Sequence, residues 1–257
     1  MIKVTYVNAF NDNYIWLIHK DNEPEVVIVD PGDAQPVIEA IKQHSLRPVA
    51  ILITHHHGDH IGGIRRLLEH FPIPVYGPSN EGIRAITHPV KEGDQVNIKE
   101  LGCTFRVLDI PGHTRGHIAY LSDNKLFCGD TLFTGGCGRL FEGTPQQMYA
   151  SLQKIAALPV ETLVYCAHEY TLDNLAFAQV VEPENLDLQK RIAEARATRQ
   201  HGRPTVPSKL SLEKATNPFL RCHLPNVIQA AENYCLKSLQ SGVDTFTIVR
   251  SWKDALD

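Results

Sequence analysis

The chain has 257 residues, a formal net charge of −4, 43% hydrophobic residues and 21% charged residues. These values are ordinary for a globular protein, and they exclude disordered and collagen-like classes. No stretch reaches the roughly 18 uninterrupted apolar residues of a membrane helix. A mildly acidic chain is also poorly suited to nucleic acid, which is bound through a basic surface. We therefore expect neither a membrane nor nucleic acid as a partner.

The N-terminal segment and the cysteines indicate a reducing compartment. No basic region followed by an apolar core stands at the N-terminus, so the sequence predicts no secretory signal. The six cysteines form no C-x-x-C pair, and a chain of this length does not depend on disulfides. We interpret them as reduced thiols, mostly buried as small apolar side chains, and expect a cytoplasmic protein.

Short β-rich segments separated by turn residues dominate the chain up to Tyr170. The predicted strands are 2–7, 14–19, 26–29, 49–53, 74–76, 96–98, 104–110, 117–121, 125–128 and 162–166. Apolar residues at helical spacing predict helices at 36–44, 61–71 and 146–158.

After Tyr170 the pattern becomes helical, with no strand expected. The predicted helices there are 172–181, 186–200, 226–239 and 244–256, with a loop at 202–208. The change of pattern predicts an α/β domain over residues 1–170 and a helical domain over residues 171–257.

The densest group of metal-binding side chains follows the predicted strand 49–53. Residues 54–60 read Thr-His-His-His-Gly-Asp-His. A loop at the end of a buried strand can direct several imidazoles to one point, and imidazole and carboxylate are preferred ligands of divalent metals such as zinc. His55 and His57 can face the same way in extended backbone. Asp59 and His60 follow a glycine, so the spacing also allows a second ion.

Three further candidate ligands come just after predicted strands. His113 follows the strand 104–110, Asp130 follows 125–128 and His168 follows 162–166. Each alone has an ordinary reading as a turn residue or a buried histidine. Their repeated position at strand ends, together with the histidine cluster, predicts that they complete a metal site.

The motif His-x-His-x-Asp-His at residues 55–60 resembles that of the metallo-β-lactamase superfamily. The resemblance implies an α/β fold, a four-layer αβ/βα sandwich with two metal ions at one edge of its two sheets. The implied ligand set places Asp130 as the bridge between the ions, with His55, His57 and His113 at the first ion and Asp59, His60 and His168 at the second. We expect two divalent ions per chain, with zinc as the expected metal and iron or manganese as alternatives.

Further segments resemble one branch of that superfamily, the glyoxalase II or hydroxyacylglutathione hydrolase family. They span the whole chain and are residues 9–15, 29–33, 129–139, 141–144, 167–171 and 217–221. The resemblance implies hydrolysis of the thioester S-D-lactoylglutathione to glutathione and D-lactate, the second step of methylglyoxal detoxification. The implied nucleophile is a metal-bridging hydroxide, oriented by Asp59 as the catalytic residue.

The same resemblance implies how the glutathione thioester is bound, with the helical domain 171–257 as the substrate-binding part. Arg250 and Lys253 match the family's terminal cation pair for the glycine carboxylate, and their spacing by three places them on one helix face. Arg139 and Tyr170 match further contacts. Phe141 stands where many relatives have tyrosine, so the chain keeps an apolar contact but lacks one hydrogen bond.

Other functions fit the sequence less well. A metallo-β-lactamase is normally exported, and a persulfide dioxygenase uses one iron and does not need the second ligand set. A processing ribonuclease of this superfamily needs a basic surface, which a net charge of −4 does not favour. A metal store leaves the terminal cation pair unexplained. Nothing in the sequence requires a dimer, so we expect a monomer.

Overall fold

The computed structural model describes residues 2–256, which form two compact units. The first unit comprises the chain up to Asp109 together with Thr114–Gly129. The second comprises Ile110–His113 together with the chain from Asp130 onward.

A six-stranded sheet begins the first unit. Its strands lie in chain order and are β1 (Lys3–Ala9), β2 (Asn13–His19), β3 (Glu25–Val29), β4 (Arg47–Leu52), β5 (Val75–Pro78) and β6 (His88–Val90). β1, β2 and β3 pair antiparallel, whereas β3 to β6 pair parallel. The helices on the parallel side are α1 (Ala34–Gln43), α2 (Gly58–Ile61) and α3 (Ile64–His70).

The apolar runs of β3 and β4 reflect burial on both faces, which parallel strands require. Helices α1 and α3 bury their apolar faces on this sheet, and the shared core includes Val37, Ile41, Ile51 and Leu67. Asp33 caps α1 by accepting a hydrogen bond from the Gln35 backbone N–H.

Parallel pairing brings the carboxyl ends of β3, β4 and β5 to one edge of the sheet. Asp30 directly follows β3, and its backbone N–H donates to Leu52 O at 3.0 Å. The segment 54–60, which we call the metal loop, follows β4 after a single residue, Ile53. The edge therefore gathers polar residues from separate parts of the chain.

Four more strands of the first unit pair antiparallel: β7 (Gln95–Ile98), β8 (Cys103–Asp109), β9 (Ile118–Ser122) and β10 (Lys125–Gly129). β9 is attached to the end of β4. The Ile118 N–H donates to Thr54 O at 3.0 Å, and the Tyr120 hydroxyl donates to Ile53 O at 2.9 Å. Burial raises the pKa of Tyr120 well above its ordinary value, so this donor stays protonated.

The second unit is mainly helical. Its strands are short: β11 (Leu132–Phe133), β12 (Gly136–Cys137), β13 (Leu163–Cys166) and β14 (Ser208–Lys209). Its helices are α4 (Pro145–Ala156), α5 (Thr171–Val181), α6 (Leu186–Gln200), α7 (Leu210–Thr216), α8 (Pro225–Cys235) and α9 (Gly242–Asp254).

Aromatic side chains form much of the helical core. The Phe219 ring lies 6.0 Å from that of Phe177 in α5 and 5.9 Å from that of Phe246 in α9, measured between centroids. Trp252 meets Phe177 edge-on at 5.8 Å. A smaller apolar cluster joins α5 to α6. Burial of these rings fixes α9 and its cations relative to α5.

Three expectations about elements need correction. The helix predicted at 61–71 corresponds to α3, which begins only at Ile64, because Ile61 ends the short helix α2 and Gly62 and Gly63 separate the two. A short strand, β14, lies after Tyr170, where none was predicted. The helix predicted at 226–239 ends at Cys235, because Leu236 adopts a left-handed conformation with φ +56°.

Candidate metal centre and substrate-binding residues

The metal loop concentrates histidine rings within the first unit. His55 and His60 are fully buried, and His57 is partly buried. The His55 ring centroid lies 4.0 Å from that of His60 and 4.7 Å from that of His57. His117 stacks on His55 at 4.5 Å with an interplanar angle of 18°. The four predicted ligands of this loop, Asp59 included, thus lie on one short turn.

Asp30 orients the metal loop. Its carboxylate accepts from the Thr54 backbone N–H at 2.8 Å and from the Thr54 hydroxyl at 2.7 Å. It also contacts His60 Nδ1 at 3.1 Å. A carboxylate at Nδ1 favours the tautomer whose Nε2 lone pair can bind a metal. Sequence reasoning did not identify Asp30 as a supporting residue, although its position directly after a strand was the available signal.

Asp59 is held by a residue from the first hairpin. Asn13 Nδ2 donates to Asp59 Oδ2 at 3.0 Å, and His60 Nε2 lies 3.5 Å from the same oxygen. Gly32 is needed for this approach, because a Cβ there would lie 1.8 Å from the Asp59 carbonyl oxygen. Asn13 lay inside the segment that carries the family resemblance, but its contact with Asp59 was not predicted.

The second unit carries the other three predicted ligands. Asp130 Oδ2 lies 3.6 Å from His113 Nε2 and 3.3 Å from His168 Nε2. His113 Nδ1 donates to Arg139 O at 2.8 Å, which directs its Nε2 toward Asp130. Gly138 allows the close packing, because a Cβ there would lie 2.0 Å from the Asp130 carbonyl oxygen. All three side chains are buried.

This donor set fits divalent metal ions. Imidazole and carboxylate are the ligands that such ions prefer. Two of the imidazoles, those of His60 and His113, have their Nδ1 atoms on oxygen acceptors, as metal-binding histidines almost always do. A cluster of buried histidines has no comparable role in packing an apolar core.

Two predicted substrate residues lie beside the predicted ligands of the second unit. Tyr170 stacks on His168 at 4.7 Å with an interplanar angle of 7°, and Phe133 meets Tyr170 edge-on at 5.3 Å. Phe141 is 63% exposed, with its ring 5.2 Å from that of His113. An aromatic ring so exposed next to a predicted ligand can contact a bound molecule.

The terminal cation pair is buried rather than solvated. Arg250 is 2% exposed and donates to Cys137 O at 2.9 Å and to Asp254 Oδ1 at 2.9 Å. Lys253 is 7% exposed, and its Nζ lies 5.7 Å from the Phe177 ring centroid. Arg139 Nε lies 3.8 Å from the same Asp254 oxygen. Asp254 is therefore the shared counter-charge of Arg139 and Arg250.

Four of the six cysteines are buried, and all six are free thiols. Burial raises the pKa of Cys137 to about 11 and that of Cys166 to about 12. Thiols with such pKa values are almost fully protonated at neutral pH and are poor nucleophiles. This agrees with the interpretation of the cysteines as small apolar side chains.

The ligand types and the two-part organisation define a member of the metallo-β-lactamase superfamily, whose family model matches residues 10–168. The family model described as "Hydroxyacylglutathione hydrolase C-terminus" matches residues 169–256. The chain belongs to the hydroxyacylglutathione hydrolase family. The predicted family and its α/β fold with a helical C-terminal part are thereby confirmed.

Individual relatives agree with this membership. The chain is 56% identical over 254 residues to the hydroxyacylglutathione hydrolase of Nitrosomonas eutropha, covering 99% of each sequence. Among solved structures it is similar to ETHE1 from Myxococcus xanthus, with a TM-score of 0.68, 25% identity and coverage of 98% and 91% of the two chains. It also resembles TTHA1623 in a di-iron-bound form, with a TM-score of 0.60, 26% identity and coverage of 85% and 100%.

The superfamily and the His/Asp clusters imply that the protein binds divalent metal ions. Within residues 2–256, no helix combines the length and the apolar character that crossing a bilayer would require.

Proposed function

We propose that this protein hydrolyses the thioester S-D-lactoylglutathione to glutathione and D-lactate. The observation that carries the proposal is the match of residues 169–256 to the hydroxyacylglutathione hydrolase C-terminus. The metal motif is shared across the superfamily, whereas this helical part distinguishes the family. We assign residues 1–170 as the catalytic domain and 171–257 as the substrate-binding domain. The two family models, which meet between residues 168 and 169, support this division.

The proposed cofactor is a pair of divalent ions, with zinc expected and iron or manganese as alternatives. Asp130 would bridge them, with His55, His57 and His113 at the first ion and Asp59, His60 and His168 at the second. The di-iron form of a similar structure supports a two-metal site. When bound, two such ions supply a hydroxide at neutral pH and stabilise the oxyanion that forms from the thioester carbonyl.

The protein's own residues set the geometry of this step. Asn13 holds one Asp59 oxygen at 3.0 Å, so Asp59 can orient the attacking hydroxide with little reorganisation. Asp30 and the Arg139 carbonyl fix the rings of His60 and His113. The leaving glutathione thiolate needs no general acid, because a thiol with an ordinary pKa near 8–9 leaves readily.

Substrate binding is assigned to the second unit. Lys253 and Arg250 would attract the glycine carboxylate, helped by Arg139, while Tyr170 and Phe141 contact the rest of the peptide. An arginine beside a carboxylate can make two parallel hydrogen bonds. We further propose a cytoplasmic monomer, because the cysteines are thiols rather than disulfides and one chain supplies all the assigned ligands.

The test is a thioester hydrolysis assay on purified protein, paired with elemental analysis. We expect about two metal ions per chain after saturation and hydrolysis of S-D-lactoylglutathione in preference to β-lactams. Asp130→Ala should lose most of the activity and much of the metal together, because both ions depend on that carboxylate. Full activity with only one ion per chain would contradict the two-metal proposal.

A further inference from the structure

We propose that Glu81 is a positioning residue for the metal site, acting through hydrogen bonds to the metal loop and to the segment 114–116. Glu81 lies in the turn after β5, the parallel strand next to β4. Its carboxylate therefore reaches the same sheet edge as Asp30, and its side chain is 1% exposed. The inference rests on the proposed role of the metal loop.

One oxygen of Glu81 holds the metal loop. Oε2 accepts from the His56 backbone N–H at 2.9 Å and also hydrogen-bonds to His56 Nδ1. His56 is not assigned to either ion, but it stands between the proposed ligands His55 and His57. Fixing the backbone of His56 therefore limits the directions in which both neighbouring imidazoles can point.

The other oxygen holds a second segment. Oε1 accepts from the Thr114 hydroxyl at 2.8 Å and from the Gly116 backbone N–H at 2.7 Å. Thr114 is fully buried and directly follows the proposed ligand His113 in the chain. Glycine at position 116 leaves room for Glu81, because a Cβ there would lie 2.8 Å from Glu81 Oε1 and Cγ and the side chain would have to shift.

The charge of Glu81 makes these contacts strong. A buried carboxylate that accepts several hydrogen bonds forms stronger bonds than a neutral acceptor, and it leaves each donor satisfied. Four donors from two segments converge on Glu81, and both segments adjoin proposed ligands. The arrangement resembles the carboxylates that orient metal ligands, with the difference that Glu81 acts on the backbone of the loop as well as on a ring.

The principal variant is Glu81→Gln, which keeps the side-chain volume. In either orientation the NH2 group of the glutamine faces a backbone N–H, at His56 or at Gly116. Two donors then face each other, so one hydrogen bond is lost. We expect metal affinity, measured by chelator competition on the apo protein, to fall about 10- to 100-fold. At saturating metal we expect kcat to fall at least tenfold, with KM for S-D-lactoylglutathione within twofold of wild type.

Gly116→Ala perturbs Glu81 from the opposite side and should give the same pattern. Glu92→Gln is the matched control, since Glu92 accepts from the Asp109 backbone N–H at 2.6 Å, outside the metal loop. Metal affinity and kcat should be unchanged in this control. The melting temperature of each apo protein separates positioning from stability.

Wild-type metal affinity and activity are measured first, so that failure of the proposed function is recognised separately. If Glu81→Gln and Gly116→Ala keep wild-type metal affinity and kcat, the inference is wrong. It is also wrong if both variants lower only the apo melting temperature, because Glu81 would then be a structural residue.

Discussion

The buried thiol of Cys137 should make the protein less stable as the pH rises into the alkaline range. Burial raises its pKa from 9.0 to about 11, so the folded state keeps the proton over a range in which the unfolded chain releases it. The stabilisation is complete below pH 9 and is lost as the pH rises from 9 to 11. Each pKa unit corresponds to about 1.4 kcal/mol.

Cys137→Ala should therefore lose less stability than wild type between pH 8 and pH 10.5, apart from a constant packing penalty. Chemical unfolding of metal-free protein at the two pH values measures the difference. Cys235→Ala provides the control, because Cys235 is partly exposed in the same unit. Parallel pH profiles for wild type and Cys137→Ala would show that the thiol does not contribute.

Candidate ligands could be proposed residue by residue from the sequence, but their supporting partners could not. His55, His57 and His60 stand in one short motif, and imidazole chemistry makes them candidates. Asp30 and Glu81 are single acidic residues 30 and 25 positions away from the histidines they contact. Only the pairing of parallel strands brings such residues to one edge, and no local pattern records that pairing.

At the scale of elements, helix α4 determines where the segment 111–113 lies. Ser151 in α4 donates to Pro111 O at 2.7 Å. Gly112 has φ +155°, and a Cβ there would lie 2.7 Å from Met148 Cβ. Helix α4 itself begins with a capping box formed by Thr144 and Gln147. His113 therefore follows a glycine that is packed directly against the helix.

Gly112→Ala should reduce both stability and metal retention. The new methyl group clashes with Met148 and strains the backbone, which together cost about 2 kcal/mol or more. The resulting shift should displace His113. Thermal unfolding and metal analysis after dialysis measure the two effects.

Gly202→Ala is the control, because Gly202 has φ +66° but a Cβ at this position would meet no atom within 4 Å. It should lose about 1–2 kcal/mol from backbone strain alone and retain its metal. Equal metal contents in the two variants would show that the packing of the segment 111–113 against α4 does not position His113.

The elements that sequence patterns missed are those decided by contacts outside the element. Helix α3 begins at Ile64, three residues later than predicted. Gly63, which precedes it, is so closely packed that a Cβ there would lie 2.6 Å from the Pro31 carbonyl oxygen and from Ala34 N. The apolar periodicity through 61–71 carries no sign of that contact. Strand β6 contains Pro89 and is short, which is compatible with the edge of a sheet but weak as a sequence signal.

At the scale of the whole molecule, the terminal cations have a property that the sequence did not predict, their burial. Two cations spaced by three on a terminal helix are usually solvated, yet Arg250 and Lys253 are buried. Arg250 lies 5.1 Å from the Phe219 ring centroid, in an aromatic core built from helices far apart in sequence. Their spacing was readable from the chain, whereas their burial follows from the packing of α9.

A net charge of −4 disfavours the binding of an anionic glutathione thioester, so substrate binding depends on local cations. Lys253→Met keeps an unbranched aliphatic side chain and removes the charge that lies near the Phe177 ring. A charge-assisted contact contributes about 1.5–3 kcal/mol, so KM should rise roughly 10- to 100-fold. The contact is remote from the thioester and equal in ground and transition states, so kcat should stay within twofold.

Asp254→Asn should have the opposite effect on KM. Asp254 lies within 2.9 Å of Arg250 and 3.8 Å of Arg139, and its negative charge competes with the substrate carboxylate for both. Neutralisation of Asp254 should therefore lower KM. Added salt screens these charges, so it should reduce the difference in KM between Lys253→Met and Asp254→Asn. Steady-state kinetics at low and high salt test both changes. If KM is unchanged in Lys253→Met and in Asp254→Asn, with metal content and fold intact, α9 does not bind the substrate carboxylate.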